Sequence, residues 1–303
     1  MRFNKLDLNL LVVLDALLVT RSVSKAAEQV FLSQPATSLA LGRLREYFGD
    51  ELLVSAGRTM VLTPMAIELA QPVRDVLLQL QTITRTRPDF DPQSSTRRFT
   101  IESSDYVIAV LLSEVIQRAA MLAPRMQFDV RALSPQSPEN LVNGVCEFLI
   151  SPDFAAAAGH PSLALFEDSF SCVVWRDSGR WKSKLRTKDY FDAGHVGVEW
   201  GGGRRVTFDA RIVAASKRTR RQDVIAPNFT LVPELLLGTD RIATLPTRLA
   251  HRLAKYYPVM VLPCPIPIPS FVEQIYWHRY QEKDPALMWL RTLIVDLGST
   301  LKI

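Results

Sequence analysis

Nowhere in its 303 residues does the chain hold an apolar run approaching the ~20 residues a membrane span requires. Its most apolar stretch, Leu8 to Val19, is interrupted by Asn9 and Asp15 and reads as a buried helix. The N-terminus shows no small-residue cleavage site, so no signal peptide is expected, and a cytoplasmic address with no membrane partner follows. Cysteine is scarce. Cys146, Cys172 and Cys264 lie far apart with no CxxC spacing, which excludes a zinc ribbon and a disulfide framework and predicts reduced core thiols. The four histidines, His160, His195, His251 and His278, form no HxxxH or HExxH pair. Metal catalysis therefore has no sequence signal, and no cofactor is expected. A GxSxG elbow is also missing, and the Gly201-Gly202-Gly203 loop lacks the lysine of a phosphate-binding loop, so an enzyme is a remote reading. Positive charge is weakest where a nucleic-acid reading would want it. Residues 1 to 64 carry seven Lys/Arg against six Asp/Glu, and the main basic excess lies between Arg176 and Arg221, where a solvated face is the plain explanation.

What is present is the composition of an ordered globular protein, 48% apolar and 22% charged, at a length that predicts two or three folding units. Asp7 precedes an almost uniformly apolar helix. Ser24 then stands as an N-cap for a short helix through Ala26-Ala27-Glu28-Gln29-Val30, and Ser33 as the cap of another that opens Gln34-Pro35. Two short helices separated by about three residues have the spacing of a helix-turn-helix whose second member enters the major groove N-terminus first. Gln34, Thr37 and Ser38 are expected to point outward, and Ala36, Leu39 or Ala40, Leu44 and Phe48 inward. Glutamine can pair bidentately with adenine, while hydroxyls and the following Arg43 and Arg45 suit bases and phosphates. Spacing alone leaves the alternative that Ser33 and Gln34 only cap a helix. From Thr63-Pro64 a further helix is predicted to about Thr84, with Ala66, Leu69, Val73, Val76, Leu80 and Ile83 at the 3-4 period of a coiled-coil seam and Pro72 within it. Packing against its own domain is the alternative.

The run from Ala26 to Leu44, AAEQVFLSQPATSLALGRL, resembles the AAxxLxxSQPAxSxxIxxLE signature of LysR-type transcription regulators. Two positions depart from it: Val30 replaces leucine, and Arg45 replaces the usual acidic residue, an extra cation expected to strengthen phosphate contact. The resemblance implies a winged helix-turn-helix over residues 1–64 with DNA-binding residues Ser33, Gln34, Pro35, Thr37, Ser38, Arg43, Arg45 and Arg58, the last on the wing turn. It implies a linker helix and hinge over 65–97 that pairs two subunits through Leu69, Val73, Val76, Leu80 and Ile83.

Past a polar linker, Arg85 to Thr96, strand and helix patterns alternate as in an α/β fold with a mostly parallel sheet. The resemblance assigns residues 98–303 to a two-lobed effector domain similar to periplasmic binding proteins, lobe I at about 98–171 and 276–303 and lobe II at about 172–275. An effector site is expected where strands end and helices begin: Ser103, Ser104 and Asp105 on one lobe, Gly202, Arg204, Asn228 and Phe229 on the other, and His278 near the second crossover. Leu6-Asp7-Leu8-Asn9-Leu10-Leu11-Val12, Gly194-His195-Val196, Ile242-Ala243-Thr244-Leu245-Pro246, and Trp277-His278 with Asp284-Pro285 resemble nodulation-gene regulators and the regulators of naphthalene, salicylate and nitrotoluene breakdown. Those relatives imply a double-stranded DNA operator, a small aromatic effector, a homodimer or homotetramer, and RNA polymerase as partners of an activator. Repression, a non-aromatic effector, and a solute-binding protein are the competing readings.

Overall fold

In the computed structural model, which describes residues 2–3, 6–57, 59–85, 90–155, 159–200, 205–206 and 218–301, the chain divides into two units, Met1–Arg87 and Pro88–Ile303. The division falls inside the polar linker expected from the sequence.

In the first unit a short antiparallel pair, β1 (Arg2–Phe3) and β2 (Leu6–Asp7), precedes α1 (Asn9–Thr20). Asp7 accepts the Asn9 N–H at 3.1 Å, and α1 buries Leu11, Val13, Leu14, Ala16, Leu17 and Leu18. Burying one such leucine contributes about 1.5–3 kcal/mol. Helix α2 (Val23–Gln29) is capped by Ser22, whose Oγ accepts from Lys25; the cap expected at Ser24 thus sits two residues earlier. Helix α3 (Gln34–Phe48) begins at the predicted Ser33 cap and stops at Gly49, whose φ of 63° is left-handed and suits glycine. A two-stranded wing follows, β3 (Leu53–Ala56) paired with β4 (Thr59–Leu62). The last element is α4 (Pro64–Arg85), which runs through Pro72. Its entry is pinned: Asp50 accepts from Leu52 N–H and from the Thr63 hydroxyl, while Thr63 Oγ1 caps Ala66 N–H.

The second unit holds two sheets. Lobe I has the order β6-β5-β7-β15-β8, from β5 (Arg98–Ser103), β6 (Gln127–Ala132), β7 (Phe148–Pro152), β8 (Ser162–Asp168) and β15 (Phe271–Trp277). Lobe II has the order β11-β10-β13-β9-β14 with β12 also on β10, from β9 (Phe170–Trp175), β10 (Gly194–Trp200), β11 (Arg205–Val206), β12 (Arg221–Ala226), β13 (Ile242–Pro246) and β14 (Val259–Pro263). The chain therefore crosses at Ser169 and again between Pro263 and Phe271, a few residues earlier than the expected 171/172 and 275/276 boundaries. Strand β8 and the short helix α8 (Thr187–Asp192) were not anticipated from the sequence.

Between β5 and β6 the chain forms α5 (Asp105–Val107), a π-helical turn (Ile108–Leu112) and α6 (Ser113–Leu122); α7 (Ser137–Val142) follows β6. Lobe II carries α9 (Val232–Leu236) and α10 (Thr247–Leu253). The closing helix α11 (Pro285–Thr300) returns to lobe I, with Asp284 accepting Ala286 and Leu287 N–H and holding Arg97 at 2.6 Å. Gly298 lies close against β8: a Cβ there would stand 3.1 Å from the Leu165 carbonyl oxygen.

Candidate functional site

On the first unit, α3 presents Ser33, Gln34, Pro35, Ser38 and Arg43 to solvent. Ser33 Oγ accepts the Ala36 N–H at 3.3 Å, which satisfies one orphan donor of the first turn and fixes the helix start. Thr37 does not point outward as expected. It is fully buried, its hydroxyl donating to the Ser33 carbonyl at 3.1 Å, because Thr37, Ala40, Leu41 and Leu44 form the i, i+3, i+4, i+7 stripe that meets the core. Ala36 and Leu39, expected inward, are correspondingly exposed.

Arg45 is also redirected. Its Nε and Nη2 donate to the carbonyls of Glu51 and Leu53, both at 2.8 Å, and its Nε lies 3.1 Å from the Glu51 carboxylate. The guanidinium thus ties the end of α3 to the first wing strand, where a cation also suits the helix C-terminus. Arg58 lies outside the described residues; Gly57, next to it, has a φ of 67° in the turn of the wing.

The expected seam of α4 divides in two. Ala66, Leu69 and Val73 pack into the unit's own core beside α1, and Arg74 pairs with Asp15 of α1 at 3.2 Å. Val76 and Ile83 remain exposed, and Leu80 is partly so. The helix thus packs one face on its own domain as far as Leu77, while Val76 and Ile83 keep part of the expected seam open to solvent.

In the second unit, β5 and β7 run parallel while β15 runs antiparallel to β7, so the carboxyl ends of β5 and β7 lie beside the start of β15 at the hinge. In lobe II the carboxyl end of β13 pairs with Phe170 at the same hinge. Two predicted edges meet across the lobes: Asp105 Oδ2 accepts the Thr230 N–H at 2.8 Å. Ser104 caps α5 through Val107 N–H, and Asn228 Oδ1 accepts from Leu231 N–H ahead of α9. Ser103 is fully buried, its Oγ without a hydrogen-bond partner among the described residues.

Phe229 is nine-tenths buried within the main core of the unit. Gly202 and Arg204 lie outside the described residues. His278 is not near the second crossover. It follows β15 at the strand's far end, ~20 Å of extended chain from Phe271, its ring in tilted contact with His160 at 5.0 Å and Tyr280 at 5.1 Å, with its Nδ1 accepting the Tyr280 N–H.

At the hinge stands a polar cluster that sequence reasoning missed. The Tyr106 hydroxyl donates to Asp168 Oδ2 at 2.5 Å, and Asp168 also accepts N–H bonds from Ser169 and Arg248. Phe166 and Phe271 pack edge-on against Tyr106. Burial raises the Asp168 carboxyl, opposed by those hydrogen bonds. Glu273 is fully buried; loss of solvation, reinforced by Asp168 and Asp153, holds its carboxyl well above the usual carboxylate range. Its Oε2 has no hydrogen-bond partner among the described residues. The available signal was a glutamate, Glu273, within a mostly apolar strand, Phe271 to Trp277, where Gln274 is its polar neighbour.

A wing behind a capped recognition helix and a two-lobed sheet domain coincide with known sequences over nearly the whole chain. Residues 8–66 match the bacterial regulatory helix-turn-helix protein, lysR family, and residues 92–298 match the LysR substrate binding domain. The chain belongs to the LysR family. It is a DNA-binding transcription regulator and not an enzyme.

Nodulation protein D 2 of Rhizobium tropici is 42% identical over 99% of this chain and 95% of its own. Nodulation protein D 1 of Bradyrhizobium elkanii is 38% identical over 99% and 96%. The resemblance to nodulation regulators is thereby borne out. Among solved structures, the probable transcriptional regulator PA0477 from Pseudomonas aeruginosa is 30% identical with a TM-score of 0.66, covering 97% of this chain and 98% of its own. ArgP from Mycobacterium tuberculosis, at 18% identity over 98% of each chain and a TM-score of 0.68, shares the fold. Among the described residues, no helix is long and apolar enough to cross a membrane.

Proposed function

We propose that this chain is a cytoplasmic transcriptional activator that binds its operator as a homodimer or homotetramer and responds to a small aromatic effector, a phenol, aromatic acid or flavonoid. DNA contact is made by Gln34 and Ser38 on the leading turns of α3, with Ser33, Pro35 and Arg43 positioning the helix on the phosphates. Subunits pair through the distal stripe of α4, and the DNA-bound assembly engages RNA polymerase at the promoter.

The observation that carries the effector reading is the convergence of strand carboxyl ends on one hinge, where Ser103, Tyr106, Asp168 and Glu273 are buried and Asp168 reaches Arg248 of lobe II. A phenol or carboxylate can exchange hydrogen bonds with this cluster, and Phe166, Phe170 and Phe271 offer apolar walls. An effector acts by its differential affinity for two lobe arrangements, with Asp105–Thr230 a contact that one arrangement keeps. The nodulation relatives support the aromatic class.

Calorimetry on the full chain with phenols, benzoates and flavonoids tests this reading. Saturable binding that weakens in Ser104→Ala and Tyr106→Phe, with operator affinity unchanged in the absence of ligand, is expected. Undiminished affinity in both variants would move the pocket elsewhere.

A further inference from the structure

Beside the hinge cluster lies a groove of about 250 Å³, lined by Val110, Thr247, Arg248, His251, Arg252, Lys255 and Leu301. Four of these, Arg248, His251, Arg252 and Lys255, fall at i, i+3, i+4 and i+7 on one face of α10 and the turn that follows it. The three fixed cations among them, Arg248, Arg252 and Lys255, repel at such spacing, so the cluster carries a standing electrostatic cost. Among the described residues, no carboxylate lines the groove. Three other exposed arginines of this unit are paired, Arg131 with Asp129, Arg186 with Asp189, Arg221 with Asp223, whereas exposed Arg118 and Arg125 stand singly, so it is the clustering of Arg248, Arg252 and Lys255 that sets this groove apart. Arg252 and Lys255 have no ion-pair partner among the described residues.

The rest of the groove gives it shape. Arg248 is fixed, its Nε and Nη2 both donating to the Glu167 carbonyl at 3.3 and 3.0 Å and its backbone N–H to Asp168. Thr247 is held by the Ser169 and Ser171 hydroxyls at 2.9 Å. Val110 belongs to the π-helical turn of lobe I, a geometry found disproportionately at functional sites, and Leu301 follows α11, which packs on lobe I. The cationic wall comes from lobe II and the apolar wall from lobe I.

We infer that this groove is a second small-molecule site, one that takes a compact dianion, a short dicarboxylate or a phosphate, against the Arg248, Arg252 and Lys255 cations. An occupant touches both lobes and so biases the same lobe equilibrium as the hinge site. Binding itself does not depend on the aromatic-effector reading.

Full-length protein is titrated with succinate and with inorganic phosphate, by calorimetry and thermal melting, against sodium chloride and acetate at matched ionic strength. Saturable binding of at least one dianion, weakened tenfold or more in the Arg252→Gln/Lys255→Gln double variant, is expected, with circular dichroism and ligand-free operator affinity unchanged. Phosphate alone or succinate alone identifies the source of the dianion, and either supports the site. Equal responses to chloride, or wild-type binding by the double variant, overturn it. Operator binding that persists alongside such a failure leaves the regulator reading intact.

Discussion

At the residue scale, three side chains show how one position's chemistry is settled by what it faces. Gln34 is exposed on the first turn of α3, so Gln34→Ala is expected to cost about 1–3 kcal/mol on operator DNA and little on random duplex, as read by gel shift on both. Equal losses on the two duplexes would remove it from base reading. Arg45, by contrast, is occupied with the Glu51 and Leu53 carbonyls. Arg45→Ala should destabilise the first unit by about 1–2 kcal/mol for hydrogen bonds partly open to water, read as a lower thermal midpoint, and leave the salt dependence of operator affinity unchanged. A shallower salt slope would return Arg45 to the phosphates. Glu273 binds its proton more tightly folded than unfolded, because burial disfavours the carboxylate. That contribution is fully present below the ordinary carboxylate range and is lost as pH rises through the raised pKa. Glu273→Gln should therefore flatten the decline of melting temperature between acid and neutral pH, and parallel curves for variant and wild type would show the carboxyl already ionised.

At the scale of elements, helix α4 carries two kinds of apolar position within one period. Val76→Glu or Ile83→Glu should weaken self-association and operator affinity together without lowering the midpoint of the first unit, because both sites are exposed. Val73→Glu should instead unfold that unit, since it places a carboxylate in the α1 core. Sedimentation beside thermal melts separates the two, and an unchanged oligomer for Val76→Glu would end the pairing proposal. Where α11 crosses β8, Gly298→Ala forces a methyl to 3.1 Å from the Leu165 carbonyl. The backbone must shift, at about 1–3 kcal/mol, measurable by chemical denaturation of the full chain.

At the scale of the whole molecule, regulation requires that effector occupancy alter a two-state element, and the hinge of the second unit has the features of one. Its two crossings are bracketed by Asp168, Ser169 and Phe271, and Asp168 joins Tyr106 of lobe I to Arg248 of lobe II. Tyr106→Phe should reduce inducer response in a reporter assay while sparing ligand-free operator affinity. Loss of both would make the tyrosine merely structural.

The sequence by itself determined the local elements and the family. Caps, proline positions and hydrophobic period place α1, the start of α3, and α4 within a residue or two, and announce the alternation of strands and helices in the second unit, because these signals act between near neighbours along the chain; the wing came from the family resemblance. It also exposed the leading face of α3 at Gln34 and Ser38. Tertiary structure decided the rest. Thr37 turned inward because the core selects the 37-40-41-44 stripe, and Arg45 was taken by strand carbonyls six to eight residues away. His278 went to the far end of β15 because pairing with β7 and β8 fixes the strand's direction. The hinge cluster joins Tyr106, Asp168 and Glu273, residues more than 60 positions apart, and only the crossing of two sheets brings such carboxyls together out of water.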